Sequence, residues 1–241
     1  MTDLTDRQTQ ILRVIVEEYT ATAEPVGSET LDKKHNLGVS PATIRNEMAY
    51  LTKQGYLKQP HTSAGRVPTP QAIKLYISEL MREKDLSVTE EVSAKETIWE
   101  KRHELGNLLR QATKELARRT NSIGVAVTDD ARLYHAGYAH ILDLPEFYDI
   151  DITRNLLTVL DEAAQMIRIF DQAVGEDSIH VLVGDEIGGQ FFEPVSTIFA
   201  DFKVGDRTGR IGIIGSCRVD YSYVIPLVRH FGQLITNLTT A

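Results

Sequence analysis

One cysteine in 241 residues removes two chemistries at once. Cys217 has no partner for an intramolecular disulfide, and no cysteine-based zinc site can be assembled. A lone cysteine suits a reducing cytoplasm. Long apolar runs are missing too: none approaches the roughly 20 residues that a membrane-spanning helix requires. Residues Met1 to Arg7 are polar, without the apolar stretch of a secretory leader. There is no G-x-G-x-x-G and no Gly-Lys-Ser/Thr, so Gly184, Gly188 and Gly189 do not make a nucleotide loop. No serine lies in a nucleophile elbow and no acid pair presents itself as catalytic. His135, His140 and Asp143 lack the spacing of metal ligands. Cys217 sits beside Arg218 with no histidine near it in sequence, which reads as a quiet thiol. These absences predict no enzyme, no metal site and no cofactor.

What is present describes a globular protein, with 42% hydrophobic and 25% charged residues. The formal net charge of −8 argues at first against a polyanionic partner. Its distribution reverses that. From Lys33 to Lys74 the chain carries Lys33, Lys34, Arg45, Lys53, Lys58, Arg66 and Lys74 against Glu47 alone, a net +6. A basic island in an acidic chain is an electrostatic footprint for nucleic acid.

The island overlaps a pattern of short helices. Ile11, Leu12, Ile15, Val16 and Tyr19 recur at helical spacing over residues 5 to 20, behind Thr5 as N-cap. Glu24-Pro25-Val26-Gly27 ends that helix, and Ser28 is placed to cap a second one reaching His35, with Leu31 inward. Gly38 suits a left-handed turn. Ser40-Pro41 opens a third helix, because proline at the first helical position forfeits no bond. That helix runs to about Gln54, with Ile44, Met48 and Leu51 as its inner stripe. Thr43, Arg45, Asn46 and Tyr50 fall on other faces.

Residues 57 to 69 then read as a strand, a tight turn at Ser63-Ala64-Gly65 and a return strand, carrying Lys58, His61 and Arg66. Thr69-Pro70 opens a fourth helix. Helices, turn, capped third helix and basic ribbon in this order predict a winged helix-turn-helix over residues 1–86, binding double-stranded DNA. Thr43, Arg45 and Asn46 are the expected base readers, since Arg and Asn pair bidentately with guanine and adenine edges. Phosphate contacts are expected from Lys34, Lys53, Lys58 and Arg66. Ser40, Pro41, Tyr50, His61, Thr62 and Ser63 complete the expected surface.

Residues 82 to 92 read as a charged linker. From Val92 to Arg119 the spacing predicts one long helix, with Ile98, Leu105 and Ala112 at heptad positions and Leu108, Leu109 and Leu116 beside them. Residues 87–120 are thus expected to be linker and helix, the stripe being either a dimer seam or the buried face of a helix on its own domain. Strands are expected at Ile123–Thr128, Leu133–Gly137, Ser178–Gly184, Ser196–Lys203 and Arg210–Gly215, with helices at 151–174 and Val219–Leu238. Residues 121–241 therefore form an α+β domain with an antiparallel sheet.

Several segments resemble one family: Leu4-Thr5-Asp6-Arg7-Gln8, Glu24 to Ser28, Ser40 to Met48 and Gln59 to Thr69. They are similar to the N-terminal domain of HrcA, the heat-inducible transcription repressor of bacteria. Leu144-Pro145-Glu146-Phe147 and Gly212 to Tyr221 are similar to that family's later signatures, with Ser216-Cys217 where the family more usually has Pro-Thr or Pro-Lys. The resemblance implies a homodimer on an inverted repeat upstream of chaperone operons, with Ser40 to Tyr50 as recognition helix and His61 to Arg66 as wing tip. It also implies a GAF-like second domain and the chaperonin GroEL as a partner that keeps the repressor active. The chain departs from the family in being shorter. The loss falls between Ser122 and Asp129, where the family carries the start of the GAF-like domain and a dimerising insert, so 121–241 is expected to be a reduced GAF-like domain.

An alternative reading is a metabolite-responsive winged-helix regulator unrelated to heat. Another is a protein-contact module that keeps the winged-helix shape without DNA.

Overall fold

A computed structural model describes residues 4–173 and 178–238. The chain divides into two compact units at Arg82/Glu83, slightly before the expected boundary at Leu86, and residues 87–120 belong wholly to the second unit.

In the first unit, α1 (Asp6–Thr22) starts on a capping box: the Thr5 hydroxyl accepts from the Gln8 N–H, and the Gln8 side chain accepts from the Thr5 N–H. Helix α2 (Ser28–His35) is capped at Gly27 rather than Ser28, and no side chain serves its first N–H groups. Ser28 is buried inside the first turn and cannot reach back as a cap. Asn36 and Gly38 take left-handed backbone in the turn before α3 (Pro41–Lys53), which Ser40 caps with its hydroxyl on the Thr43 N–H at 3.2 Å. A two-residue ribbon follows, β1 (Leu57–Lys58) antiparallel to β2 (Val67–Pro68), and then α4 (Pro70–Leu75), which continues as a wider π turn to Leu80. Ile11, Leu12, Ile15, Leu31, Ile44 and Leu51 are fully buried and form the centre of this core.

The second unit is built on a five-stranded antiparallel sheet, in the order β4 (Leu133–Ala136), β3 (Ile123–Thr128), β7 (Arg207–Ser216), β6 (Val195–Val204), β5 (Ile179–Val183). The expected single helix over 92–119 is two helices, α5 (Val88–Trp99) and α6 (Leu105–Thr120). Glu100 to Glu104 carry no apolar side chain to hold a continuing buried face, and Gly106 weakens the helix just beyond. Nor is the linker as long as expected: Ser87 and Glu90 form a capping box that starts α5 at Val88.

Helix α6 lies on the sheet so closely that a side chain at Gly124 would meet the Thr113 carbonyl at 2.0 Å. Leu108, Leu109, Ala112 and Leu116 are fully buried there, so this stripe is the inner face of a helix on its own domain. Helix α10 (Tyr221–Leu238) lies along β6 and also contacts α5 and α6. The other sheet face holds Ile123, Val125, Val127, Phe199 and Ile214. They pack under α8 (Ile150–Asp161) and α9 (Ala163–Phe170), with the Phe170 and Phe199 rings 4.1 Å apart. The helix expected at 151–174 breaks at Glu162, whose backbone is extended; residue 174 lies outside the described residues. A short helix α7 (Tyr138–Leu142) and a 3-10 turn (Pro145–Tyr148) link β4 to α8.

The two later signature segments meet in this unit. Arg218 grips Glu146 with two bonds, Nε to Oε1 at 3.2 Å and Nη2 to Oε2 at 2.7 Å, and the Ser216 hydroxyl donates to the same carboxylate. Burial alone would raise the Glu146 carboxyl, but the bonds from Arg218 and Ser216 outweigh it and hold the group below the usual carboxylate range.

Candidate nucleic-acid interface

Packing of Ile44, Met48 and Leu51 into the first core fixes the rotation of α3. Arg45, Asn46, Tyr50 and Lys53 are thereby left on its exposed face. Among the described residues, Arg45, Asn46 and Lys53 make no side-chain hydrogen bond or ion pair. The helix's one acid is turned the other way: Glu47 accepts from the Gln8 amide at 3.0 Å and lies 3.6 Å from Arg7. The outward face of α3 thus offers cations and an amide without a carboxylate of its own to neutralise them.

Beside α3 the ribbon is held in a fixed place. Its turn is His61–Ala64, closed by the Ala64 N–H on the His61 carbonyl at 2.8 Å, with Thr62 and Ser63 exposed at the tip. The Gln59 amide braces the loop from inside, donating to the carbonyls of Thr62 at 2.9 Å and Ala64 at 3.0 Å. Gly65 lies outside the turn and has no positive φ. It is a glycine for want of room: a side chain there would meet the Val26 carbonyl oxygen at 2.4 Å and the Pro25 carbonyl carbon at 2.7 Å. The ribbon closes on that segment through a bridge in which the Val26 and Arg66 backbones exchange bonds of 2.8 and 2.9 Å.

Two expected phosphate contacts are placed otherwise. Arg66 turns inward and donates from Nε to the Thr52 hydroxyl at 3.0 Å, tying the ribbon to α3; at its position beside the Val26 bridge, the side chain spans the gap between ribbon and helix. Lys34 bonds to Glu18 on α1, and His35 adds a second contact to Glu18 at 3.3 Å. The Lys34 ammonium holds the Glu18 carboxyl below its usual range. Both cations are thus engaged within the first unit.

Of the remaining expected residues, Ser40 and Thr43 are joined through their hydroxyls at 3.0 Å at the start of α3, with Pro41 half-buried between them. Lys58, His61, Thr62 and Ser63 are exposed along the ribbon. Arg45, Thr62, Ser63 and Arg66 line one groove of about 470 Å³ between α3 and the ribbon, whose α2 wall carries Glu29. Asn46, Tyr50 and Lys53 continue the exposed face of α3 beyond it. Gln59 and Thr52 were not legible as site residues. A polar residue two places before a turn carries no distinguishing mark, and a threonine in a helix reads as a surface position.

The family match supplies what the geometry leaves open. Residues 63–225 match the family described as HrcA protein C terminal domain, which is more than half of the chain. The chain belongs to the HrcA family. Among its relatives is the "Heat-inducible transcription repressor HrcA" of Symbiobacterium thermophilum, 27% identical, aligned over 97% of this chain and 98% of the relative. A protein of the same name in Desulforudis audaxviator is 29% identical over 97% of each chain. The 334 aligned positions of the first exceed the 241 residues of this chain by 93, so that many or more have no counterpart here. A solved structure described as a hypothetical protein superposes with a TM-score of 0.75 at 22% identity, covering 99% of this chain and 98% of the other, which supports the α+β fold.

Proposed function

We propose that this HrcA-family chain is a transcription repressor of heat-shock (chaperone) operons. Its first unit acts as a winged helix-turn-helix on double-stranded DNA, and its second as a reduced GAF-like domain for dimerisation and regulation. The bare face of α3 beside a braced ribbon carries this reading: Arg45 and Asn46 are exposed, unpaired and clear of Glu47. Helix α3 enters the major groove, with base contacts from Thr43, Arg45 and Asn46. Backbone contacts come from Lys53, Lys58 and the ribbon tip at His61 to Ser63. An inverted repeat is bound by a two-fold dimer, which turns two weak half-site contacts into one useful affinity. GroEL is the partner the family resemblance proposes.

Asn46→Ala is expected to cost about 1–3 kcal/mol on the operator while leaving binding to random duplex unchanged. Competition anisotropy measures both, and equal losses on the two duplexes would contradict a base-reading role. Lys53→Ala is expected to weaken binding to all sequences and lower the salt slope by about 1. Arg66→Ala is expected to leave the slope unchanged, lowering affinity by loosening the ribbon instead. A slope reduced equally by both variants would return Arg66 to the phosphate contacts.

A further inference from the structure

In the signature ending in Arg218-Val219-Asp220-Tyr221, Ser216 and Arg218 hold Glu146, while Asp220 meets the segment by which the chain enters the second unit. Lys84 donates from its ammonium to Asp220 at 2.6 Å and from its backbone N–H to the Ser222 carbonyl at 2.8 Å. One residue earlier, Glu83 takes two bonds from Arg229 on α10, at 2.6 and 2.8 Å. Ser87 then caps α5 directly. Asp220 is itself braced by the Ser222 hydroxyl. The first residues after the unit boundary are thus laid along the start of α10 by two ion pairs and a main-chain bond.

We propose that Asp220, Ser222 and Arg229 are positioning residues for operator binding, clamping Glu83 and Lys84 so that the tether to the DNA-binding unit is short. This rests on the DNA-binding reading above. With the clamp closed, the free tether ends at Arg82. With it open, Glu83 to Leu86 join the tether, each adding up to about 3.3–3.6 Å of reach. For a dimer on two half-sites, a longer tether lowers the effective concentration of the second unit at its half-site. Affinity for an inverted repeat falls while affinity for a single half-site does not.

The groups suit a device that opens readily. The Lys84 and Asp220 side chains are 59% and 50% exposed, and those of Arg229 and Glu83 are 30% and 42% exposed. Exposed pairs of this kind are individually weak and are screened by salt. Two in series with one backbone bond hold the segment without fixing it permanently. The Arg229 bonds also hold the Glu83 carboxyl below its usual range, so acid that protonates it removes one arm of the clamp.

The test uses the full chain in four forms: wild type, Arg229→Glu, Lys84→Ala, and the swap Glu83→Arg with Arg229→Glu. Hydrogen exchange at the Lys84 amide reads the clamp, and anisotropy on an inverted-repeat duplex and on a single half-site reads its effect. Exchange is expected about 5-fold faster in Arg229→Glu and in Lys84→Ala, the range set by one exposed pair, and restored in the swap. Repeat binding should weaken about 3- to 5-fold in the two single variants with half-site binding unchanged, again recovering in the swap. Unchanged exchange at Lys84, or faster exchange with no loss on the repeat, would overturn the proposal. A wild type that binds neither duplex would sink the DNA reading and the coupling with it, a result distinct from a clamp that fails to protect Lys84.

Discussion

Gly65→Ala is expected to remove operator binding while the second unit stays folded. The added carbon would sit 2.4 Å from the Val26 carbonyl oxygen and 2.5 Å from its carbon, against backbone rather than a side chain that could swing aside. Inserting a methyl group into a space this rigid costs typically about 1–3 kcal/mol. The strain is relieved by breaking the bridge between Val26 and Arg66, which holds the ribbon against the segment between α1 and α2. Once it opens, the Arg66 contact to Thr52 is lost, and Thr62 and Ser63 no longer line the groove with Arg45. Operator affinity should fall about 10- to 100-fold, and a melting transition assigned to the first unit should drop while that of the second does not move. Wild-type affinity in Gly65→Ala would mean that the ribbon's placement is irrelevant to binding.

Arg218→Ala should strongly destabilise the second unit. The side chains of Arg218 and Glu146 are 11% and 13% exposed, so removing the guanidinium strands a largely buried carboxylate. Breaking a buried pair in this way costs about 3–5 kcal/mol. The pH dependence should also change. In the wild type the Glu146 pKa is depressed on folding, so its contribution is present above the unfolded carboxylate pKa and is lost as pH falls. In Arg218→Ala, burial is opposed by the Ser216 bond without the guanidinium, so the folded pKa of Glu146 rises and less stability is lost as pH falls. Thermal melts of both proteins across the acid range would show the shallower dependence. Parallel pH profiles would mean that Arg218 does not set the state of Glu146. Glu146→Gln in the Arg218→Ala background should recover part of the stability, because the stranded charge is gone.

Much of the first unit was readable because its elements are set locally. Thr5 with Gln8, and Ser40 with Pro41, satisfy orphan N–H groups within one turn, and the stripe Ile44, Met48, Leu51 fixes the outward face of α3 whatever it packs on. Arg45 and Asn46 were therefore recognisable as exposed. What was not foreseen depends on contacts distant in sequence. Lys34 and Arg66 look like free cations in a basic island, but Glu18 lies sixteen residues before the first and Thr52 fourteen before the second. Gly65 reads as a turn residue because turns are the commoner use of glycine, whereas here Val26 forbids a side chain. The break between α5 and α6 follows from the run Glu100 to Glu104, which has no apolar side chain and which a heptad count along one helix passes over. The capping box at Ser87 and Glu90 starts α5 inside the stretch read as linker and shortens it by several residues.

If the exposed face of α3 and its braced ribbon read an operator as part of a heat-released repressor, fluorescence anisotropy of the wild-type chain will show it on a duplex carrying the family's inverted repeat, against a scrambled duplex. Titrated from low to high salt and repeated at rising temperature, the wild type is expected to prefer the repeat by at least about 10³-fold, to lose affinity steeply with salt, and to release on mild heating. Equal binding to the two duplexes at every salt concentration and temperature would contradict the repressor reading.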